Sequence, residues 1–491
     1  MPSTEVDQGV WWNLFSTLWY VDPAGRLMPD LAREVPTVQN GGISADGMTW
    51  KIRLRKDAKW HDGQPFTAED VKFTVELINN TAFRARSRVG HNLVKEIRVN
   101  APDEVQWKMN KAFSPYLFYL AQCFMVPKHV LEKATDPNSS PFNNTPIGTG
   151  PFRWDKRIPG DNIQLVANPA YHGKGPYLER IVFKYIPDLT VLYTQFRTGQ
   201  IDYIGIQGIL PNFVKEAQGL KDRRVVVAPS PFVEHVALNH EHAPFREKVV
   251  REAMYMAINK KAIIDAVYYG YPTPTESILP NLNWAARTDL PLQKYDPAKA
   301  NALLDAAGWK PGAGGIREKA GVRLEFTNST TVGNAAREQV QQLLMQDFKG
   351  IGAAMTISNL PAAVMWGEYW QKSKFQSVIV AVSFSTSSDP DVTQRFASDQ
   401  IGAKGGQGYN TIQYQNPELD RLLSDGVVQF DLAKRKETYA KIQSLIREDY
   451  AVLPLFQDVS REGVKAGLQG YAPNLNMPSN CWNMREWYWA S

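Results

Sequence analysis

Alternating apolar and polar residues predict a strand at the start of WKIRLRKDAKWHDGQPFTAEDVKFTVELI, residues 50–78. Over residues 50–54, apolar and basic side chains alternate with period two, which is typical of a strand with one buried face. The Asp62-Gly63 dipeptide predicts a turn, because Gly tolerates positive φ and Asp accepts hydrogen bonds from nearby backbone. Thr67, followed three residues later by Asp70, predicts a capped helix start. The segment is therefore predicted to form a strand, a turn and a helix.

Two further series of strands and helices follow along the chain, and both predict α/β layers. In the first, residues 95–109 predict a hairpin, and residues 178–206 predict a strand, a helix and a returning strand. A long helical run then ends near Gly270. In the second series, strand and helix periodicities alternate over residues 323–384. This alternation predicts a sheet with crossover helices in a lobe of its own.

The size and charge of the chain limit the classes to which it can belong. With 491 residues and 43% hydrophobic content, it exceeds what one core usually supports, so we expect at least two lobes. The net charge of +5 comes from 55 basic and 50 acidic residues without a Lys or Arg block, which argues against a nucleic-acid partner. The longest apolar run, residues 378–382, is far shorter than the ~20 residues that span a bilayer. We therefore expect a soluble protein.

The chain start and the two cysteines leave the cellular compartment open. The first residues, MPSTEVDQGVWW, show neither a basic n-region nor an apolar h-region, so we expect no signal peptide in the sequence as written. A cytoplasmic protein and a processed secreted protein with a new Met both fit. Cys123 and Cys481 are too far apart for a Cys-x-x-Cys site. Two unpaired, buried thiols are favoured over one long-range bridge.

The sequence lacks the patterns of common enzyme sites. Gly-x-Ser-x-Gly, His-Glu-x-x-His and the P-loop pattern are absent. His61 and Asp62 could form a catalytic pair, but a turn before a capped helix explains them. His235, His240 and His242 could hold a metal, yet no carboxylate or thiol cluster completes such a site. We expect no catalytic residue, cofactor or metal, and we interpret these three histidines as solvated side chains at a chain junction.

Several blocks, taken in order, resemble the family 5 extracellular solute-binding proteins, the peptide- and nickel-binding components of bacterial ABC importers. The segment of residues 50–78 is close to the most characteristic block of that family, and LFSTLWYVDPAGRLMPDLA precedes it. The blocks that follow it are IGTGPFRW, NPAYHGKGPYLERIVFKYIPD, FRTGQIDY, ALNHEHAPFREKVVREAMYMAIN, NPELDRLLSDG and KRKETYAKIQSLIREDYAVLPLF. The resemblance covers nearly the whole chain.

This resemblance implies an α/β, two-lobed periplasmic binding protein fold of type II, in the large subgroup with an extra inserted subdomain and with mixed sheets in each lobe. The chain would cross between the lobes near residues 236–239 and 456–459, and hinge motion there would close the cleft. The implied parts are lobe I (residues 1–30, 145–236 and 459–491), its inserted subdomain (31–144) and lobe II (237–458).

The resemblance also implies a function. The chain would be the substrate-binding protein of an ABC importer and not an enzyme, capturing a small polar solute in the interlobe cleft and delivering it to the membrane permease. It would act as a monomer in the periplasm, or outside the cell anchored to the membrane. The alternatives are an ordinary di- or oligopeptide-binding protein of the same family, a hydrolase with its site in the cleft, and a ligand trap that docks a chemoreceptor.

Two features of the family's peptide binders bear on the choice of ligand. Peptide binders pair an extended segment before the first helix with the ligand, which here would place Thr4 and Glu5 at the cleft; a frayed terminus is the alternative.

The family's peptide binders also carry a Trp-x-x-Asp-x-x-Asp-Pro run, in which the first Asp holds the ligand ammonium. Here Ser383 replaces the Trp and Thr386 replaces that Asp, with Ser385 between them. A buried ammonium without a carboxylate costs several kcal/mol. An opine-like, oligosaccharide or modified-peptide ligand is therefore favoured over an ordinary peptide, although Glu5 could supply the charge.

The resemblance suggests further contact residues. Arg337 lies near the family's possible carboxylate-binding position, where a bidentate guanidinium would suit a carboxylate or phosphate; a solvated helix face is the alternative. The remaining candidates for stacking and hydrogen bonding are Trp366, Tyr409, Asn410, Asn480 and Trp482. Trp366 could equally belong to the core.

Overall fold

Helices and strands alternate along the chain in the computed structural model, which describes residues 5–205, 208–382, 388–406 and 408–490. The helices are α1 Glu5–Leu14, α2 Ala68–Asn79, α3 Tyr116–Leu120, α4 Lys128–Leu131, α5 Leu189–Arg197, α6 Pro211–Gln218, α7 Lys248–Ala257, α8 Lys260–Tyr268, α9 Pro297–Ala306, α10 Ala335–Lys349, α11 Ala362–Val364, α12 Thr393–Phe396, α13 Pro417–Val428 and α14 Leu432–Glu448. The strands are β1 Trp19–Val21, β2 Leu27–Pro29, β3 Thr49–Arg53, β4 Val94–Ala101, β5 Glu104–Met109, β6 Phe152–Ile158, β7 Asn162–Ala167, β8 Arg180–Lys184, β9 Tyr203–Ile204, β10 Arg223–Leu238, β11 Thr273–Pro274, β12 Lys310–Pro311, β13 Arg317–Lys319, β14 Val322–Arg323, β15 Glu325–Ser329, β16 Ala354–Ile357, β17 Ser377–Val382, β18 Leu453–Lys465, β19 Leu468–Gln469 and β20 Tyr488–Trp489.

The segment of residues 50–78 folds as its pattern predicts, into β3, a turn and α2. The backbone N–H of Thr67 donates to Asp70 Oδ2 over 2.9 Å, which closes the predicted cap. β4 and β5 form the predicted hairpin, and β3 pairs with the other edge of β5. The apolar face of this sheet, including Trp50, shares one core with Trp19 near the chain start. The predicted inserted subdomain is therefore packed directly onto lobe I.

The His61-Asp62 turn attaches this segment to residues 148–150. The N–H of Gly148 donates to His61 Nδ1 over 3.1 Å, so Nε2 carries the proton and donates to Gly150 O over 3.1 Å. Burial lowers the pKa of His61 to about 4, and the ring is therefore neutral at pH 7. Asp62 Oδ2 lies 2.7 Å from His129 Nε2. These contacts support the structural interpretation of the turn.

The largest sheet of the described residues has mixed pairing. Its strand order is β11-β18-β10-β17-β15-β16, and β9 pairs with β18 outside this path. β10 runs antiparallel to β17 and β18, whereas β15 runs parallel to β16 and β17, with α10 connecting β15 to β16. The three-stranded sheets β3-β5-β4 and β6-β7-β8 are antiparallel. The predicted α/β class is confirmed.

β10 and β18 each extend from one core to another. Val226 and Val464 pack in a core with residues of α1 and β6–β8, whereas Val236 and Leu455 pack with helices α7 to α10. Between these positions the register of the pair shifts, from Pro229 opposite Val459 to Val233 opposite Gln457. The predicted crossing at 456–459 contains the residues of β18 that lie opposite this irregularity, and the predicted crossing at 236–239 lies further along β10. Both crossings stay predictions.

β17 shows how the predicted second series is packed. Val378 and Val380 contact the core formed by α13 and α14, while Ile379 between them contacts the core formed by α7 to α10. A strand buried on both faces needs an unbroken apolar sequence, which explains the run at 378–382. The sheet of predicted lobe II therefore has a helical layer on each side.

Two other expectations concern the membrane and the cysteines. No helix within the described residues has the length and apolar character needed to cross a membrane. Cys123 and Cys481 are both buried and unpaired, as the sequence favours. Burial raises the pKa of each thiol to about 12, so both stay protonated at neutral pH.

A buried ion pair joins α14 to the residues that follow β17. Nη1 and Nη2 of Arg435 donate to the two oxygens of Asp389 over 2.7 and 2.8 Å, and the side chains are 1% and 0% exposed. Arg435 Nε also donates to Gly426 O, at the end of α13. The arginine therefore connects both helices of this layer to Asp389.

We expect Arg435→Leu to lower the free energy of unfolding by about 3–5 kcal/mol, because it leaves the Asp389 carboxylate buried without its partner. Arg421→Leu is the matched control, since the Arg421–Asp425 pair is 63% and 56% exposed and such pairs contribute about 0–1 kcal/mol. Urea denaturation followed by tryptophan fluorescence measures both. An equal, small effect of the two substitutions would contradict this assignment.

Candidate ligand-binding cleft

An open cavity, whose empty space of about 1030 Å³ includes open solvent, lies where α1 meets the predicted inserted subdomain. Its walls come from α1, the last turn of α2, the loop after α2, and α3 with the residues that follow it. The lining residues are Gln8, Trp11, Thr74, Leu77, Ile78, Phe83, Arg84, Ala85, Arg86, Ser87, His91, Tyr119, Gln122, Cys123, Phe124 and Val126. A concave wall that is mostly apolar with a few polar groups is typical of a small-molecule site.

Trp11 offers an unused hydrogen-bond donor in this wall. Its indole Nε1 is buried, and none of the described residues accepts a hydrogen bond from it. An unmet buried donor costs about 1–3 kcal/mol. The Trp11 ring also lies 5.7 Å from the Phe15 ring, which fixes its orientation.

The loop after α2 carries three arginines at positions 84, 86 and 88, which differ in their contacts and exposure. Arg88 is held by the loop itself, because its Nη2 donates to the carbonyls of Asn80 and Phe83 over 3.0 and 2.5 Å. Arg84 and Arg86 are exposed and line the cavity. Neither of these guanidinium groups forms a salt bridge with a carboxylate of the described residues. They therefore place two positive charges at the cavity. Hydrogen bonds from Asn138 and Ser139 lower the pKa of Asp136, and the charge of Arg84 adds to this effect.

His91 forms part of the same wall and is buried. Its Nδ1 lies 3.1 Å from the hydroxyl of Tyr116, and its carbonyl accepts a hydrogen bond from Asn79 Nδ2 over 2.7 Å. Burial lowers the pKa of His91 to about 4, so the imidazole is neutral at pH 7. The positive charge at this cavity therefore comes from the arginines.

A second cavity, of about 450 Å³, lies against the strands that connect the two sets of cores. Its lining residues are Val233, His235, Ile278, Trp370, Arg395, Phe396, Tyr409, Thr411, Ile412, Val452 and Pro454. Burial lowers the pKa of Arg395 to about 10, which still leaves a cation at neutral pH. Burial also lowers the pKa of His235 to about 4, and its Nδ1 lies 3.1 Å from Val233 O. This cavity is thus apolar with one buried cation.

Of the residues predicted at the ligand site, Thr4, Ser385 and Thr386 lie outside the described residues. Glu5 is the first residue of α1, the helix that forms one wall of the larger cavity. Tyr409 lines the second cavity and is 50% exposed. The roles of these residues in ligand binding stay predictions.

Trp366 and Arg337 are engaged inside the protein. The Trp366 ring lies 5.8 Å from that of Trp370, edge to face, and Trp370 lines the second cavity. Trp366 itself is half-buried and does not line this cavity. Arg337 Nε and Nη2 donate to the two oxygens of Glu234 over 2.6 and 3.0 Å. The bidentate geometry expected for a ligand carboxylate is here made with a carboxylate of β10.

The predicted asparagines also have internal partners. Asn410 is fully buried, and its Nδ2 donates to Ala397 O and Tyr414 O over 3.0 and 2.8 Å. Asn480 Nδ2 donates to Glu462 Oε1 over 2.5 Å. These bonds fix loop conformations, and neither asparagine lines the two cavities.

Trp482 lies apart from both cavities. It borders a smaller cavity of about 280 Å³ beside Asp30 and Arg485. Its ring is 5.6 Å from that of Tyr20, and its Nε1 donates to Ala472 O over 3.0 Å. The structure therefore does not bring Trp482 together with Tyr409.

Sequence reasoning missed the residues that line the larger cavity, above all Trp11, Arg84 and Arg86. One signal was available. The run FRARSR, residues 83–88, places three arginines directly after the characteristic helix, where a structural role alone would not require so many cations.

The three histidines considered for a metal site have separate partners. Their interpretation as solvated side chains is wrong for His235 and His240, because burial lowers their pKa values to about 4 and about 3. Nε2 of His240 lies 3.0 Å from Ala451 O, and Nε2 of His242 lies 3.1 Å from Glu325 O. His235 faces Val233 O, as described above. Across the described ranges, no group of three or more His, Cys, Asp and Glu side chains is arranged to hold a metal ion.

We expect His91→Gln to reduce the loss of stability on acidification. The folded pKa of His91 is about 4, against 6.5 in the unfolded chain. The unfolded state therefore binds more protons between these values, and stability falls as the pH falls through that window. A pKa difference of one unit corresponds to about 1.4 kcal/mol. Glutamine can keep a hydrogen bond to Tyr116 but does not titrate.

Thermal unfolding of both proteins between about pH 7 and about pH 5 measures this effect. The wild type should lose more Tm than the variant over that interval. Parallel pH profiles for the two proteins would contradict a buried, neutral His91.

Comparisons with known sequences place the chain in one family. The sequence profile of the bacterial extracellular solute-binding proteins, family 5, middle region, matches residues 26–404. The oligopeptide-binding protein AppA of Bacillus subtilis is 27% identical over 488 residues, covering 97% of this chain and 86% of that protein. The nickel-binding periplasmic protein of Escherichia coli is 27% identical over 420 residues, covering 84% of this chain and 78% of that protein.

Solved structures agree in fold over nearly the full length. The structure of Bacillus subtilis AppA in complex with a nonapeptide has a TM-score of 0.80 and 25% identity, covering 98% of this chain and 94% of that chain. The structure of NikZ from Campylobacter jejuni in complex with Ni(L-His) has a TM-score of 0.81 and 27% identity, covering 96% and 93%. Both the family and the fold class predicted from the sequence are confirmed. This chain belongs to the bacterial extracellular solute-binding proteins of family 5.

Proposed function

We propose that this chain is the substrate-binding component of an ABC importer and that its ligand is a small solute with at least one anionic group and an apolar part. One observation carries the choice of ligand. The described wall of the larger cavity contains Arg84 and Arg86 but no Asp or Glu. A guanidinium group can donate two parallel hydrogen bonds to a carboxylate or phosphate, so this wall suits a carboxylate or another anion.

The apolar surface sets a second requirement. Trp11, Phe83, Tyr119 and Phe124 line the larger cavity. Aromatic rings favour an apolar or planar part of a ligand by area burial and stacking. Among the predicted ligands, an opine-like or modified-peptide solute with carboxylates meets these requirements better than a neutral oligosaccharide.

An ordinary peptide is the second candidate. AppA of Bacillus subtilis, which is similar over nearly the whole chain, is described as an oligopeptide-binding protein and was solved with a nonapeptide. A peptide brings a carboxylate that would suit the arginines, but its free ammonium needs an acidic partner. That partner would have to come from outside the described walls, and Glu5 is the residue we predict for it.

The two lobes would close on the solute, and uptake would involve no covalent chemistry. A ligand that contacts both lobes favours the closed state by its differential affinity, and β10 and β18 provide the connection about which closure occurs. The closed form would then dock on the membrane permease, in the periplasm or at the outer face of the membrane, as a monomer. The relatives compared above are binding proteins, which supports a role without turnover.

The copurified solute is expected to be anionic. Denaturing the purified protein and analysing the released material by mass spectrometry in both ion modes identifies it. We expect a compound with one or more carboxylate or similar acidic groups and an apolar portion. Release of a neutral sugar, or of a solute whose only charge is an ammonium, would contradict the proposed ligand class.

Removing the two arginines should weaken binding of that solute. A charge-assisted hydrogen bond contributes about 1.5–3 kcal/mol, so loss of at least one such bond in the double variant Arg84→Ala/Arg86→Ala is expected to weaken binding at least about 10-fold in calorimetric titration. Arg98→Ala is the control in the same subdomain, because Arg98 is 73% exposed and does not line the cavity. Unchanged affinity of the double variant would contradict the assignment of the larger cavity as the anion site.

A further inference from the structure

Helices α13 and α14 pack in one hydrophobic core, whereas the tip of the turn that joins them packs in another. Leu419 of α13 and Tyr439 of α14 are buried in a core of predicted lobe II. Val427 and Phe430, at the tip, pack instead against the core that contains Trp50, in the inserted subdomain. The tip therefore crosses from one lobe to the other at a place remote in sequence from β10 and β18.

An aromatic contact forms the centre of this crossing. The rings of Phe430 and Trp50 lie 6.0 Å apart at 66°, which is an edge-to-face arrangement. Trp50 is fixed from behind, since its Nε1 donates to Gly47 O over 3.0 Å and its ring contacts that of Tyr116 at 5.6 Å. Phe430 thus meets a rigid surface.

Gly47 leaves the space that Phe430 occupies. Its φ is +71°, and a Cβ at this position would lie 2.4 Å from Phe430 Cε2. Any other residue would therefore be strained in the turn and would collide with the ring. The absence of a side chain at Gly47 allows the phenyl edge to rest directly on the backbone.

Hydrogen bonds accompany the aromatic contact. The backbone N–H and the Oγ of Ser114 both donate to Val427 O, over 2.7 and 3.1 Å. Val427 is at the C-terminal end of α13, where helical carbonyls lack partners within the helix. The inserted subdomain thus caps the helix end of lobe II.

We propose that these residues, Gly47, Trp50, Ser114, Val427 and Phe430, form a docking surface that holds the two lobes closed, which we call the tip contact. The inference rests on the proposed closure about β10 and β18. None of the five residues lines either cavity. The tip contact therefore sets the population of the closed state, and through it the apparent affinity, without touching the solute.

Substitutions in and beside the tip contact test its role. Phe430→Ala removes the half-buried ring, whereas Val428→Ala is the matched control, because Val428 is in the same turn but 48% exposed. Ser114→Ala removes one donor to Val427 O and serves as a second, milder test. Circular dichroism and Tm establish that each variant is folded.

Spin labels report the distance between the lobes. Lys59→Cys and Lys441→Cys place labels at exposed positions in the inserted subdomain and in α14. The native thiols of Cys123 and Cys481 are buried and stay unlabelled. A pair at Lys299→Cys and Lys441→Cys, both in predicted lobe II, is the internal control.

Double electron–electron resonance on the solute-free full chain then gives the closed population. With Phe430→Ala, the ratio of short to long distances should fall by about 2- to 10-fold, with a smaller fall for Ser114→Ala and none for Val428→Ala or for the internal pair. An unchanged ratio in Phe430→Ala, while added solute shifts the wild type, would overturn the tip contact alone. A single distance that neither solute nor substitution moves would overturn hinge closure and the tip contact with it.

Discussion

The antiparallel pairing of β10 with β18 is the constraint on which the rest of the architecture depends. These strands of 16 and 13 residues lie in two sets of cores at once. Their register shifts between Pro229 and Val233 and again between Glu234 and His235, and Gln457 Nε2 bridges the first interval by donating to Ser230 O over 2.8 Å. Proline supplies no N–H to the ladder, so the pair is weak near Pro229. Bending at these irregularities, with paired strands on both sides, is a geometry suited to hinge closure.

Arginines in different parts of the fold differ in whether they form salt bridges, and this difference bears on the charge of the larger cavity. Buried arginines elsewhere have full internal partners, as Arg435 has Asp389 and Arg337 has Glu234. Such pairs offset the desolvation of both charges and hold elements together. At the larger cavity, Arg84 and Arg86 are exposed and line a wall that contains no carboxylate. An anionic solute in this cavity would give the two guanidinium groups a hydrogen-bonding partner.

Local pattern accounts for what the sequence predicted well. The capped helix α2 and the hairpin of β4 and β5 depend on neighbouring residues, whose periodicity and capping can be seen directly in the sequence. The family was evident because many blocks occur in order.

The site was harder to predict, because its walls combine α1 with a loop about 70 residues away in sequence. Arg337 looked like a free helix-start cation until β10 brought Glu234, 103 positions away, to its guanidinium. Asn410 likewise looked available in a Gly-rich loop, yet its amide closes that loop.

The central claim is that a solute binds in the larger cavity, between α1 and the predicted inserted subdomain, with its anionic group at Arg84 and Arg86. A crystal structure of the protein with its copurified solute retained tests this most directly. The account predicts ligand density in the larger cavity, with an acidic group within hydrogen-bond distance of at least one of the two guanidinium groups. Density elsewhere, or a ligand that leaves both arginines without a contact, would contradict it.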